Sequence, residues 1–382
     1  MNYISTLIGV PLGYLMRLIY SLCNNYAVAI IIFTLFTKIL LFPVSYKTQK
    51  DAARRNLLNP KIQKLKKSFA NNQERFQEEQ QKLFQEEGIN TFSSCLPMFI
   101  QMFILFGVIE VIYKPITHIL NISKYVIQDA VSIASQDISE LAKNGVKNMR
   151  CELLTMEHLS NNGDKYTSLS ENFFTKVSEF NEKFTLFGAN LGKTPSLHPE
   201  VWTKEAVILF AIPFLAGLSQ LLISVYTQMY QKKQNPVDVP GGGCLNVMMF
   251  GMPLISIIFA FQVPAGIGFY WICQSVFSFI ITFALNCYLT PERVKVINEK
   301  EKEKAKIYAE KHPNKKSFMQ KMMEQQSALN DQKNNSASSS GKNSGLSRSE
   351  QNKQNREKLK EARKRMAEKY GDSYDDDNDE ED

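Results

Sequence analysis

Histidine and cysteine are scarce in this chain, four and six among 382 residues. His118, His158, His198 and His312 all stand outside the strongly apolar runs, so a buried metal site or a histidine proton relay is not expected. The cysteines form no CxxC pair and no disulfide framework: Cys95, Cys244, Cys273 and Cys287 fall in or beside apolar runs, and only Cys23 and Cys151 lie elsewhere. Also missing are a GxxxxGK[ST] loop, an HExxH pair, a histidine within reach of a serine inside the apolar runs, and a mid-run acid of the kind ion-coupled transporters use. These absences argue against an enzyme and predict no cofactor and no metal. GGGC at Gly241 reads as a flexible connector, not a phosphate loop.

What is present is segregation. Mean hydropathy is only slightly negative and net charge is +7, from 45 Lys/Arg against 38 Asp/Glu. Those averages suit a soluble protein, yet the apolar residues are gathered into a few runs while the charges lie between them and in the last part of the chain. Five runs approach the ~20 residues a membrane-crossing helix needs: 26–44, 94–113, 206–226, 244–261 and 267–289. Backbone groups in lipid must be satisfied within the segment or in a closed barrel, and runs of this length fit helices rather than alternating ~10-residue strands. The expectation is an all-α polytopic membrane protein with five transmembrane helices around a hydrophilic groove.

Orientation follows from Lys and Arg. Only Arg17 precedes the first run, whereas Lys47, Lys50, Arg54 and Arg55 follow it closely, which puts the N-terminus outside and, after five spans, the C-terminus in the cytoplasm. Residues 1–25 then form an external amphipathic helix lying at the interface, with Leu12, Leu15, Met16, Ile19 and Cys23 at helical spacing; an extra span is the alternative. Pro11, Gly13 and Arg17 spoil this stretch as a cleavable signal peptide. Residues 46–92 read as a cytoplasmic hairpin of two short helices. Ile62, Leu65 and Phe69 share one face, Asn71 and Asn72 make the turn, Phe76, Leu83 and Phe84 continue the period, and Pro60 bends or starts the first arm. Residues 114–204 form an external loop. Residues 290–382 are a polar cytoplasmic tail that cannot bury a core and is expected to be largely disordered, with transient helix where Lys and Glu dominate.

Lys38 stands inside the first run, in IIIFTLFTKILLFP. A charge deep in a membrane helix costs about 2.5–3.5 kcal/mol on insertion scales and is offset by a hydrated cavity or a partner. Snorkelling is the competing account, because Pro43 and Lys47 mark the run's end only about 7–14 Å away at 1.5 Å per residue. Polar residues recur at helical spacing elsewhere: Thr34 one turn from Lys38, Gln220, Ser224 and Thr227 in the third run, and Trp271, Ser275, Ser278 and Thr282 in the fifth, with Gln274 beside them. Each stripe alone fits helix packing; several together with an internal cation favour a groove. Glu110 and Lys114, at i and i+4, read as a local ion pair.

The chain resembles the YidC/Oxa/Alb family of membrane protein insertases in its short five-span Gram-positive form. The resemblance covers roughly residues 5–290 and rests on six stretches in order: AIIIFTLFTKILLFPVSYKTQK, NPKIQKLKK, CLPMFIQMFILFGVI, NLGKTPS, IPFLAGLSQ and FQVPAGIGFYW. It implies a groove open to the cytoplasm and to lipid, in which Lys38 takes the place usually held by arginine, with Thr34, Gln220, Trp271 and Ser275 as companions. Lysine keeps the charge and loses the planar fork. It further implies that the hairpin, with Lys61, Lys64, Lys66 and Lys67, serves insertion. The clients would be nascent membrane proteins. The basic tail, through Arg356, Lys358, Lys360, Arg363, Lys364 and Arg365, would meet the ribosome, with membrane lipids and the Sec translocon as further partners. Phe103 departs from the proline common after Gln-Met in the family, the external loop is longer than usual, and YSLC at Tyr20–Cys23 lacks the small residue a lipoprotein cleavage site needs. A channel or small-solute transporter on the same polar groove is the alternative function.

Overall fold

The computed structural model describes residues 2–70, 72–89, 96–234, 251 and 253–311. They are almost wholly helical. The first two helices, α1 (Asn2–Cys23) and α2 (Tyr26–Leu40), are joined by a turn in which Asn24 takes φ 51° and the Asn25 side chain accepts the backbone N–H of Val28 at 3.1 Å, capping α2. α2 gives way at Leu41 to α3 (Phe42–Ser68), and the two axes meet at 57°. The cause is local: Pro43 occupies the first turn of α3 and has no N–H to carry the α2 ladder across the joint.

α4 (Gln73–Glu86) folds back on α3, so that the two form a helical hairpin. Pro60 does not start its first arm, as it lies inside the continuous helix from Phe42 to Ser68. α5 (Leu96–Tyr113) follows, then a folded segment of α6 (Pro115–His118), α7 (Lys124–Ala134), α8 (Ser139–Asn144), α9 (Cys151–Asn161) and α10 (Glu171–Lys183). This segment closes on a two-stranded antiparallel ribbon, β1 (Thr185–Leu186) with β2 (Ala189–Asn190). α11 (Lys204–Gln234), helical residues 253–260, α12 (Ala265–Tyr288) and α13 (Pro291–Lys311) complete the described chain.

α11 and α12 are each long and apolar enough to cross a membrane, and the bent pair α2–α3 makes a third candidate; α1 and α5 are shorter apolar helices. Much of the run at 244–261 lies outside the described residues. Ile31, Ile32, Leu35, Phe36 and Ile39 on α2, Leu215, Leu218 and Leu222 on α11, and Val276, Ile280 and Phe283 on α12 all point outward and are exposed. Apolar outward faces on successive helices suit lipid, not water.

Helix approach depends on small residues. A Cβ on Gly9 would meet the Glu110 side chain at 2.7 Å, and one on Gly13 would meet His118 at 2.6 Å, so α1 rides directly over the end of α5 and the last residue of α6. Glu110 and Lys114 form the expected ion pair at 2.7 Å. Tyr26, fully buried at the start of α2, packs its ring against Phe184 and Phe180 with centroids 4.5 and 5.7 Å apart, sealing the helices against the folded segment. The loop after β2 then takes hold of α12. The backbone N–H groups of Ala265 and Gly266 donate to the carbonyls of Lys193 and Leu191 at 2.9 and 2.8 Å. Two of the stretches that carried the family resemblance, NLGKTPS and FQVPAGIGFYW, therefore bind one another.

The tail departs from expectation at its start. Rather than a transient helix in a disordered segment, α13 runs 21 residues and packs on α3 and α4. Its Val294 is buried, as are Leu58 of α3 and Ile89 after α4, and polar bonds described below complete the contact.

Candidate functional site

Lys38 sits on the last turn of α2 and turns sideways, not toward the helix end. Its Nζ donates to Ser278 Oγ of α12 at 2.6 Å. The two border a cavity of about 300 Å³ lined by Lys38, Leu41, Val44, Ser45, Ile100, Gln101, Gln274 and Ser278. α2, the first turn of α3, α5 and α12 thus each supply part of its wall. The bend at Leu41 opens this space, because it swings α3 out of line with α2 and exposes the turn between them. Gln101 also donates to the buried Tyr270 hydroxyl at 3.4 Å, which fixes one amide of the wall. Among the described residues no carboxylate lies within ion-pair reach of Lys38. The cavity therefore presents a cation, two amides and two hydroxyls with no resident anion, an arrangement suited to a passing carboxylate or a peptide backbone.

The other expected groove residues are not part of the cavity's wall. Thr34 is fully buried and returns its hydroxyl to the Ile30 carbonyl at 2.6 Å. Ser275 is buried one turn above Ser278, Trp271 is half-buried against the apolar core, and Gln220 is half-buried on α11. Ser278 and Gln274 belong to the polar stripe legible on the fifth run, whereas nothing in the pattern singled out Gln101. Of the hairpin lysines, Lys61 is held by Glu87 at 2.8 Å, Lys64 and Lys67 are exposed, and Lys66 is half-buried. Arg356, Lys358, Lys360, Arg363, Lys364 and Arg365 lie outside the described residues.

Beside the cavity, Gln49 of α3 donates to Asn286 Oδ1 of α12 at 2.6 Å, Asn286 donates to Tyr226 at 3.3 Å, and Tyr230 donates to the Asn286 carbonyl at 3.1 Å. This network ties α3, α11 and α12 together beyond the bend.

The sequence matches the family model described as "60Kd inner membrane protein" over residues 18–292. The chain belongs to that family. The chain is also similar to proteins named membrane protein insertase YidC. That of Amoebophilus asiaticus is 25% identical over 287 residues, 74% of this chain and 36% of the relative. That of Clostridium tetani is 40% identical over 114 residues, 30% of this chain and 50% of the relative, and that of Granulibacter bethesdensis is 37% identical over 106 residues, 28% and 18%. The chain thus spans half or less of the length of these relatives. Family membership agrees with the nearly all-helical architecture and the outward apolar faces, and it bears out the family resemblance read from the sequence.

A second polar centre, which sequence reasoning missed, lies at the foot of the hairpin. Arg54 of α3 is 1% exposed. It donates to the carbonyls of Glu87 and Gly88, just past the end of α4, and to Asn298 Oδ1 of α13 at 2.8 Å, with Asp51 at 3.9 Å. A cation on the free carbonyls of a helix end is favourable by charge and by hydrogen bonding. Burial pushes the Arg54 pKa down against the pull of Asp51, Glu301 and Glu87. Glu87, 3% exposed, accepts from Lys61 at 2.8 Å, Lys302 at 2.9 Å and Asn298 Nδ2 at 3.1 Å. Burial alone would raise its pKa; those bonds win and hold it at about 2.

Proposed function

We propose that this chain is a plasma-membrane insertase and chaperone that admits nascent membrane proteins through the Lys38 cavity. The carrying observation is the Lys38 ammonium, turned onto Ser278 between α2 and α12 in a polar space where the described residues supply no anion. A client's short acidic segment would exchange part of its hydration for that charge, and its apolar helix would then slide into lipid along the exposed faces of α2, α11 and α12. In this reading five spans leave the N-terminus outside and the hairpin and tail in the cytoplasm. The tail's basic residues meet the ribosome, and the protein works alone or with the Sec translocon. Names of relatives support the activity, and the geometry supports the groove. Liposomes containing only this protein should insert a small single- or double-span client above the level of empty liposomes; equal insertion in both overturns the proposal.

The alternative, a channel or small-solute transporter, needs a path open to both membrane faces. Phe33, Ile30 and Tyr26, all 0–1% exposed, fill the space on the far side of Lys38. Single cysteines at the wall positions Ser45, Gln101 and Ser278 labelled from both sides would favour the pore; labelling from the cytoplasmic side alone favours the insertase.

A further inference from the structure

The centre around Arg54 joins parts of the chain that are far apart in sequence: the first arm of the hairpin, the end of its second arm, and α13. Asn298 is the pin. Its Oδ1 accepts from Arg54 and its Nδ2 donates to Glu87, so both ends of one amide are used, on two different hairpin arms. Two further contacts flank it on the same face of α13: Glu301 to Lys50 at 3.2 Å and Lys302 to Glu87 at 2.9 Å. The apolar floor beneath is Leu58, Ile89 and Val294, each 2–4% exposed.

These bonds have a directional consequence. α3 contacts α2, α5 and α12 on one side and α4 and α13 on the other. α13 follows α12 after only the two residues Leu289 and Thr290, with the Leu289 N–H on the Leu285 carbonyl at 2.8 Å and Leu289 1% exposed. A helix so rooted in the core is a better reference than the hairpin's own stem.

We propose that α13 sets the position of the hairpin over the cavity, with Arg54, Glu87 and Asn298 as positioning residues, so that hairpin and tail helix move as one body. The idea rests on the insertase reading only in giving the hairpin a part in client entry; the geometry stands without it. At about 1.5 Å per residue the 21 residues of α13 form a strut about 30 Å long.

The test uses the full chain in liposomes with two readouts, amide hydrogen exchange across residues 73–86 and client insertion. Glu301→Lys, which sets like charges against Lys50 and near Arg54, should speed exchange in that segment tenfold or more and lower insertion, with exchange in α11 and α12 unchanged. The swap Lys50→Glu/Glu301→Lys should recover both, which loss of folding would not allow. Asn298→Leu, apolar and similar in volume, should behave as Glu301→Lys and gain nothing from the swap. Unchanged exchange in 73–86 for Glu301→Lys and Asn298→Leu overturns the proposal. So does altered exchange with full insertion, since the hairpin's position then has no bearing on entry. Should wild type fail to insert any client, the insertase reading falls, and the exchange result alone still decides whether α13 holds the hairpin.

Discussion

Replacing Lys38 isolates what the cavity's charge contributes. Two unit charges 4 Å apart attract by about 1 kcal/mol in bulk water and about 4 kcal/mol at an effective dielectric of 20. Lys38 is half-buried and its cavity is partly polar, so a client carboxylate near Nζ falls between these limits, at about 2 kcal/mol. At about 1.4 kcal/mol per factor of ten, that is roughly thirty-fold in occupancy. Lys38→Ala should therefore slow insertion about thirty-fold for a client with one acidic residue ahead of its helix. It should barely affect the same client with that residue changed to its amide. Lys38→Arg should retain the acid dependence, since the charge persists, and Lys38→Glu should invert the preference. The measurement is the initial rate of protease-protected client in liposomes, for both clients with all four proteins. Equal loss for acidic and neutral clients on Lys38→Ala would refute the electrostatic argument and leave a packing role for the side chain. No loss for either would mean that the ammonium stands outside the client's path.

Ser278→Ala removes the acceptor that turns Lys38 inward; insertion of the acidic client should drop two- to five-fold, water in the cavity replacing part of the bond, and an unchanged rate in the same assay would mean that the hydroxyl does not hold the ammonium. Gly13→Val drives methyl groups into His118 and should cost about 1–3 kcal/mol as overpacking, read as a lowered unfolding midpoint in detergent. Glu87 is held at about 2 against an ordinary 4.5, so the stabilisation it gives the hairpin foot is complete above pH 4.5 and is lost as pH falls toward 2. Hydrogen exchange across residues 73–86 should rise over that window in wild type, and Glu87→Gln should be looser at pH 7 with little further change in acid.

The helices themselves were legible because lipid imposes a length and a composition on anything that crosses it, and the runs at 206–226 and 267–289 became α11 and α12 with little adjustment. The bend at Leu41 was not legible, since Pro43 near a run's end reads as a boundary and gives no angle. Lys38 was recognisable as an oddity in apolar surroundings. Its actual partner was harder: Ser278 and Ser275 stand on one stripe, and only the rotation of α12 against α2 decides which of them meets the ammonium. Gln101 gave no signal, because one glutamine in an apolar helix has no period. The Arg54 centre was hidden for a different reason. Its bond to Asn298 crosses 244 positions, between two segments whose local composition says only that they are charged and helical.

The grip of the NLGKTPS loop on α12 carries a consequence for where an anion can settle. A helix N-terminus bears roughly half a positive charge, spread over its free N–H groups, and is a ready anion site. In α12 those groups are spent: Ala265 on Lys193, Gly266 on Leu191, and Ile267 on the Pro264 carbonyl at 2.9 Å. The helix that faces Lys38 is thus electrically quiet at its far end. In the proposed function, an acidic segment entering beside α12 finds the Lys38 ammonium near the bend, and at the far end of that helix N–H groups already given to Lys193, Leu191 and Pro264.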